Sequence, residues 1–106
     1  MSRRRISGAP FRDAVGDLLH ERGWTQRDLA GAVGVDPAHV CRLLKRGSRL
    51  RATPELLARI ARALQVEPEF FTEYREWCVL EAVRQNPSLR ERLFTRVVAH
   101  STPIES

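Results

Sequence analysis

Five cationic side chains, Arg42, Lys45, Arg46, Arg49 and Arg51, fall within ten residues that hold no carboxylate. Such a cluster can recognise anions. A guanidinium presents paired N–H donors that match guanine O6 and N7 or two phosphate oxygens, and an ammonium adds a mobile point charge. One exposed arginine is usually only solvated, but five cations without a counter-charge create a local field. Other chemistries lack their residues. His20, His39, His100, Cys41 and Cys78 show neither C-x-x-C nor H-x-x-x-H spacing, so no metal site is expected. No glycine-rich phosphate loop, Gly-x-Ser-x-Gly elbow or close carboxylate pair occurs, so no catalytic residue, no cofactor and no enzymatic activity are expected. Cys41 and Cys78 read as reduced thiols acting as small, buried or half-buried hydrophobes.

The chain has 106 residues, 42% of them hydrophobic and 29% charged, enough apolar material for one folded core. Its net charge of +5 is uneven: residues 1–64 carry thirteen basic and six acidic side chains, residues 65–106 five and seven. A cationic front half favours a polyanion through counterion release, nucleic acid before a membrane surface. No run approaches the roughly 18 apolar residues that span a bilayer, and the Arg3-Arg4-Arg5 run has no apolar stretch behind it, so an intracellular protein is expected.

Strand-like alternation is nearly absent, and the pattern predicts helices throughout. Phe11, Val15, Leu18 and Leu19 recur at helical spacing over residues 10–22, between Pro10 and Gly23. Thr25 and Asp28 form a capping box for a second helix, 26–33, which Gly34 ends. Asp36-Pro37 is a cap followed by a residue whose missing N–H costs nothing in the first turn, so a third helix spans 36–46. Thr53-Pro54 repeats the device for a fourth, over 54–64. Glu67-Pro68 opens a fifth segment that continues to Asn86-Pro87, and the Ser88-x-x-Glu91 box opens the last helix. Residues 1–9 and 102–106 lack periodicity and read as loose tails.

Between residues 26 and 43 the spacing becomes mechanical. Two short helices crossing steeply need a small residue at their contact, Ala30, and a residue content with positive φ at the turn, Gly34. Leu29, Val33, Val35, Val40 and Leu43 then share a core. On a 100° wheel Val40, Leu43 and Leu44 cluster on one side of the third helix. Ala38, Arg42 and Lys45 lie opposite, flanked by His39, Arg46 and Cys41.

With Gln26, the Ala30/Gly34/Val40/Leu43 pattern and the amphipathic helix at 54–64, residues 11–71 resemble the helix-turn-helix family of phage λ repressor and Cro. The stretch from Leu43 to Gly47 is one residue longer than is usual there. The resemblance implies an all-α, five-helix λ repressor-like DNA-binding bundle, here with a C-terminal helical extension. It also implies base reading in the major groove by Asp36, Pro37, Ala38, His39 and Arg42, with Arg42 the strongest candidate. Asp36 reads as an N-cap before a cytosine contact, and His39 as a phosphate contact. Thr25, Gln26, Arg27, Lys45, Arg46, Arg49 and Arg51 would hold the DNA backbone, and Arg3, Arg4 and Arg5 could reach along a groove as an arm. Arg59 and Arg62 read as solvated, and Trp24 as a plug between the first two helices rather than a base-stacking ring.

Five of the seven aromatics, Phe70, Phe71, Tyr74, Trp77 and Phe94, lie in the acidic last third. Apolar residues over 70–83 spread around most of a helix, which must bury a second face against the last helix or another chain. Phe70, Tyr74, Trp77, Leu80, Phe94 and Val97 are the expected dimer or partner surface. The expected organisation is a flexible basic arm at 1–9, a DNA-binding domain at 10–71 and a dimerisation or partner-binding extension at 72–106. The expected function is sequence-specific, double-stranded DNA binding by a homodimeric bacterial or phage transcriptional repressor in the cytoplasm, associated with the nucleoid. Seventeen arginines to one lysine suit a GC-rich genome. An antitoxin or a protein-interaction module using the aromatic helices remains the alternative.

Overall fold

The computed structural model of the chain describes residues 5–100, and among these it is all helical, without a strand. Six α-helices follow in order: α1 (Phe11–Arg22), α2 (Gln26–Val33), α3 (Pro37–Leu44), α4 (Pro54–Ala63), α5 (Thr72–Gln85) and α6 (Pro87–His100). One 3-10 turn, Pro68–Phe70, precedes α5. Two compact units divide the chain, Met1–Arg75 and Glu76–Ser106.

In the first unit the expected stripes become the core. Phe11, Ala14, Val15, Leu18 and Leu19 of α1 are buried with Leu29, Ala30 and Val33 of α2, Val40 and Leu43 of α3, and Leu57, Ile60 and Ala61 of α4. Removing such side chains from water contributes about 1.5–3 kcal/mol each for the larger ones. α2 packs on α3 and α4, and α1 packs on α3. Ala30 is wholly buried where the helices meet, and Gly34 turns the chain at φ +84°. Trp24 is half-buried against this core, as a plug would be.

Four local expectations are corrected. α3 ends at Leu44 rather than Arg46, because Lys45 is already extended (φ −68°, ψ 135°) and Gly47 makes the turn at φ +82°. The fifth segment does not run unbroken from Pro68. Phe71 is extended (φ −90°, ψ 135°), so Phe70 and Phe71, which would point 100° apart on a helix, both enter the core. Their rings meet edge to face at 5.2 Å, and Phe71 lies 5.0 Å from Phe11. The Ser88/Glu91 box does not form. Asn86 caps α6 instead, its Oδ1 accepting from the Leu89 amide (3.0 Å), while Glu91 pairs with Arg90 at 2.9 Å. Both cysteines are exposed rather than buried.

The N-terminal segment is tied down from Arg5 onward. The Ser7 amide donates to the Phe70 carbonyl (2.9 Å), and the Ser7 carbonyl accepts from Thr72 Oγ1 (3.0 Å) and Arg75 Nη2 (2.8 Å). Arg75 Nη1 also donates to the Glu69 and Phe70 carbonyls. Arg3, Arg4 and the 102–106 tail lie outside the described residues.

The second unit, from Glu76 of α5 through α6, has no buried residue. Val79, Leu80, Phe94, Val97 and Val98 are each more than half exposed.

Candidate nucleic-acid interface

Two helix starts and a loop carry the residues expected to meet DNA. At α2 the Thr25 hydroxyl accepts from the Asp28 amide (3.1 Å) and Asp28 Oδ2 accepts from the Thr25 amide (2.9 Å). This reciprocal cap leaves the side chains of Gln26 and Arg27 exposed at the positive end of the helix dipole.

At α3, Asp36 Oδ1 accepts from the Ala38 amide at 2.9 Å, so one carboxylate oxygen of Asp36 is committed to capping. Pro37 and Ala38 are exposed, and His39 is half-buried. Val40 and Leu43 anchor the inner face, which turns Ala38, Cys41 and Arg42 outward. The wheel and the fold agree here because α3 is short and has a single buried stripe.

Lys45, Arg46, Arg49 and Arg51 follow on the loop to α4, all exposed. The Ser48 hydroxyl accepts from the Leu50 amide (3.1 Å), which folds the loop back on itself. None of these four cations, nor Arg42, forms an ion pair with another described residue. Their charge is therefore available to an outside anion, and each phosphate they neutralise releases a counterion.

Arg5 does not extend away from the protein. Its Nη2 lies 3.4 Å from Glu21 Oε2, and its guanidinium carbon sits 5.4 Å from the centre of the Phe70 ring. Phe70, expected on a partner surface, is buried in the core instead, because the extended Phe71 turns both rings inward. Tyr74 is half-buried and packs against that core. Trp77 is half-buried, whereas Leu80, Phe94 and Val97 are exposed.

Sequence reasoning missed the side chains that brace the helices from a distance. Arg59, expected to be solvated, donates from Nη2 to the Val33 carbonyl at the end of α2. Arg22 donates from Nη2 to the Leu64 carbonyl at the end of α4. Both satisfy carbonyls that a helix end leaves open, and no local pattern marks them, since the partners are 26 and 42 residues apart. Among the described residues there is no group of three metal-ligating side chains, and no helix is long and apolar enough to cross a membrane.

A helix-turn-helix family model matches residues 17–71, which begin within α1 and end at Phe71. No curated protein and no solved structure matches the chain.

Proposed function

Because the chain belongs to the helix-turn-helix family of λ repressor and Cro type, a family of DNA-binding regulators rather than enzymes, we propose that it is a sequence-specific, dimeric transcriptional repressor that reads the major groove with α3. One observation carries this reading: Val40 and Leu43 fix the inner face of α3 while Ala38 and Arg42 face outward, beside four unpaired cations on the loop that follows.

Arg42 takes the main reading role, with two parallel hydrogen bonds to guanine O6 and N7. Ala38 meets a thymine methyl, and Pro37 and His39 fill the groove wall. Asp36 contributes its cap and a free oxygen. Thr25, Gln26 and Arg27 place the amino end of α2 against one phosphate, while Lys45, Arg46, Arg49 and Arg51 hold the neighbouring backbone. Arg3 and Arg4, which lie outside the described residues, serve as a basic arm along a groove.

The second unit supports pairing of two copies. Helices of 14 residues are marginal without a buried face, and α6 has none. Residues 76–100 carry four arginines and three glutamates, so like units approach without strong repulsion. Two α3 helices about 34 Å apart would read successive major-groove faces of an inverted repeat. Repression then follows from occupancy of the operator in the nucleoid of a bacterial or phage-infected cell.

Selection from random duplexes at two salt concentrations tests the proposal. A recovered palindrome with steep salt dependence is the expected result, and no duplex preference would overturn it. The exposed Leu80 and Phe94 also favour a second reading, an antitoxin or interaction module that binds a different protein there. A monomer that co-purifies with the product of a neighbouring gene would favour that reading.

A further inference from the structure

Between the N-terminal segment and α1 lies an open groove of about 280 Å³. Its floor is apolar, made by Ala14, Leu18 and the buried ring of Phe70, and Ile6, 63% exposed, forms one wall. Its rim is acidic. Asp17 and Glu21, one turn apart on α1, both line the groove, although the unit around them is strongly basic. Glu21 is engaged by Arg5, whereas Asp17 forms no ion pair with another described residue.

The groove already holds a cation. The Arg5 guanidinium reaches in over the Phe70 ring at 5.4 Å with Glu21 as its counter-ion at 3.4 Å, which is how an aromatic wall and a carboxylate together recognise an organic cation. The Ser7 carbonyl and amide are pinned to Thr72, Arg75 and Phe70, so the chain on the C-terminal side of the groove is fixed and the Arg5 side chain is the part that can leave.

We propose that this groove binds a small organic cation with an apolar body, an arylalkyl amine or guanidine, in competition with Arg5. The charged head lies between Asp17 and Glu21, and the apolar body lies against the exposed Ile6 and the face of Phe70 that Arg5 vacates. A volume near the lower end of the range for small-molecule sites limits the occupant to a single ring with a short charged arm. The site uses no residue of α2, α3 or the loop to α4, and its test uses no DNA.

The test is a titration of the ¹⁵N-labelled full chain with 2-phenylethylammonium chloride, read from the amide shifts of residues 14–21, alongside neutral 2-phenylethanol. Saturable shifts are expected with the ammonium and not with the alcohol. Arg5→Ala, which removes the resident cation, should bind about tenfold more tightly, as expected when a competing occupant is removed. Adding Asp17→Asn and Glu21→Gln to Arg5→Ala should abolish the shifts, with an unchanged remainder of the spectrum showing that the fold is intact. The proposal is overturned if Arg5→Ala shows no saturable shift, if the alcohol binds as well as the ammonium, or if the carboxylate substitutions leave the affinity unchanged.

Discussion

The Glu73 carboxylate accepts a hydrogen bond from the Phe11 amide at 3.0 Å, joining the first turn of α5 to the first turn of α1 across 62 residues. Pro10, which occupies the capping position of α1, has no side-chain acceptor, so the open amide end of that helix is satisfied from elsewhere in the chain. The negative charge also lies at the favourable end of the α1 dipole.

Glu73→Ala should therefore lower stability by about 1 kcal/mol, the usual value of a lost N-terminal cap. Glu73→Gln keeps an acceptor oxygen and should cost clearly less. Urea denaturation of the two variants measures the difference. Equal stability of Glu73→Ala and the parent would show that the bond contributes nothing.

Gln65 holds φ at +61°, the left-handed conformation that Gly23 and Gly34 supply after α1 and α2. A side chain there is strained by about 1 kcal/mol. Gln65→Gly should raise the thermal midpoint by a few degrees, and scanning calorimetry decides it. At Gly34 the opposite is expected: at φ +84° the Cβ of Gly34→Ala meets only an ordinary contact with Arg59 Nη2 at 3.4 Å, so the backbone strain is what should lower the midpoint.

Arg42→Ala should cost about 1–3 kcal/mol of operator affinity and relax the preference at one base pair. Replacing Lys45 or Arg46 by alanine should instead weaken all duplexes alike and reduce the salt slope by about 1 per lost phosphate contact. Gel shifts on a specific and a scrambled duplex at several salt concentrations separate the two patterns. Identical behaviour of all three variants would remove Arg42 from the reading role.

Phe70 and Phe94 should behave oppositely. Phe70 is 6% exposed, and Phe70→Ala should destabilise the first unit by about 3–5 kcal/mol without altering the oligomeric state. Phe94 is 63% exposed, and Phe94→Asp with Leu80→Asp should convert a dimer to a monomer while the DNA-binding unit keeps its melting temperature. Sedimentation equilibrium and calorimetry provide the two readouts. A parent that sediments as a monomer would dispose of the dimer.

The starts of α2, α3 and α4, the stops at Gly23 and Gly34, and the two faces of α3 were all legible in the residues. Thr25 with Asp28, Asp36 with Pro37, and Thr53 with Pro54 act on amides within three positions of themselves, so their chemistry is written in adjacent letters. The same logic misled at Ser88, where Asn86 stands two residues earlier and forms the cap first. It misled at Phe70 as well, since helical periodicity assumes an unbroken helix and Phe71 breaks it.

What the amino-acid order determined alone was the local architecture and the location of a short helix that turns Arg42 outward beside a cationic loop. Hydrogen-bonding needs within one turn and apolar repeats of 3.6 residues are properties of neighbours. Only the folded chain decided that Glu73 caps α1, that Arg22 and Arg59 close the ends of α4 and α2, and that Arg5 is drawn onto Phe70. Those partners are 26 to 65 residues apart, and only collapse of the shared core, which offsets the entropy of closing such loops, brings them within reach.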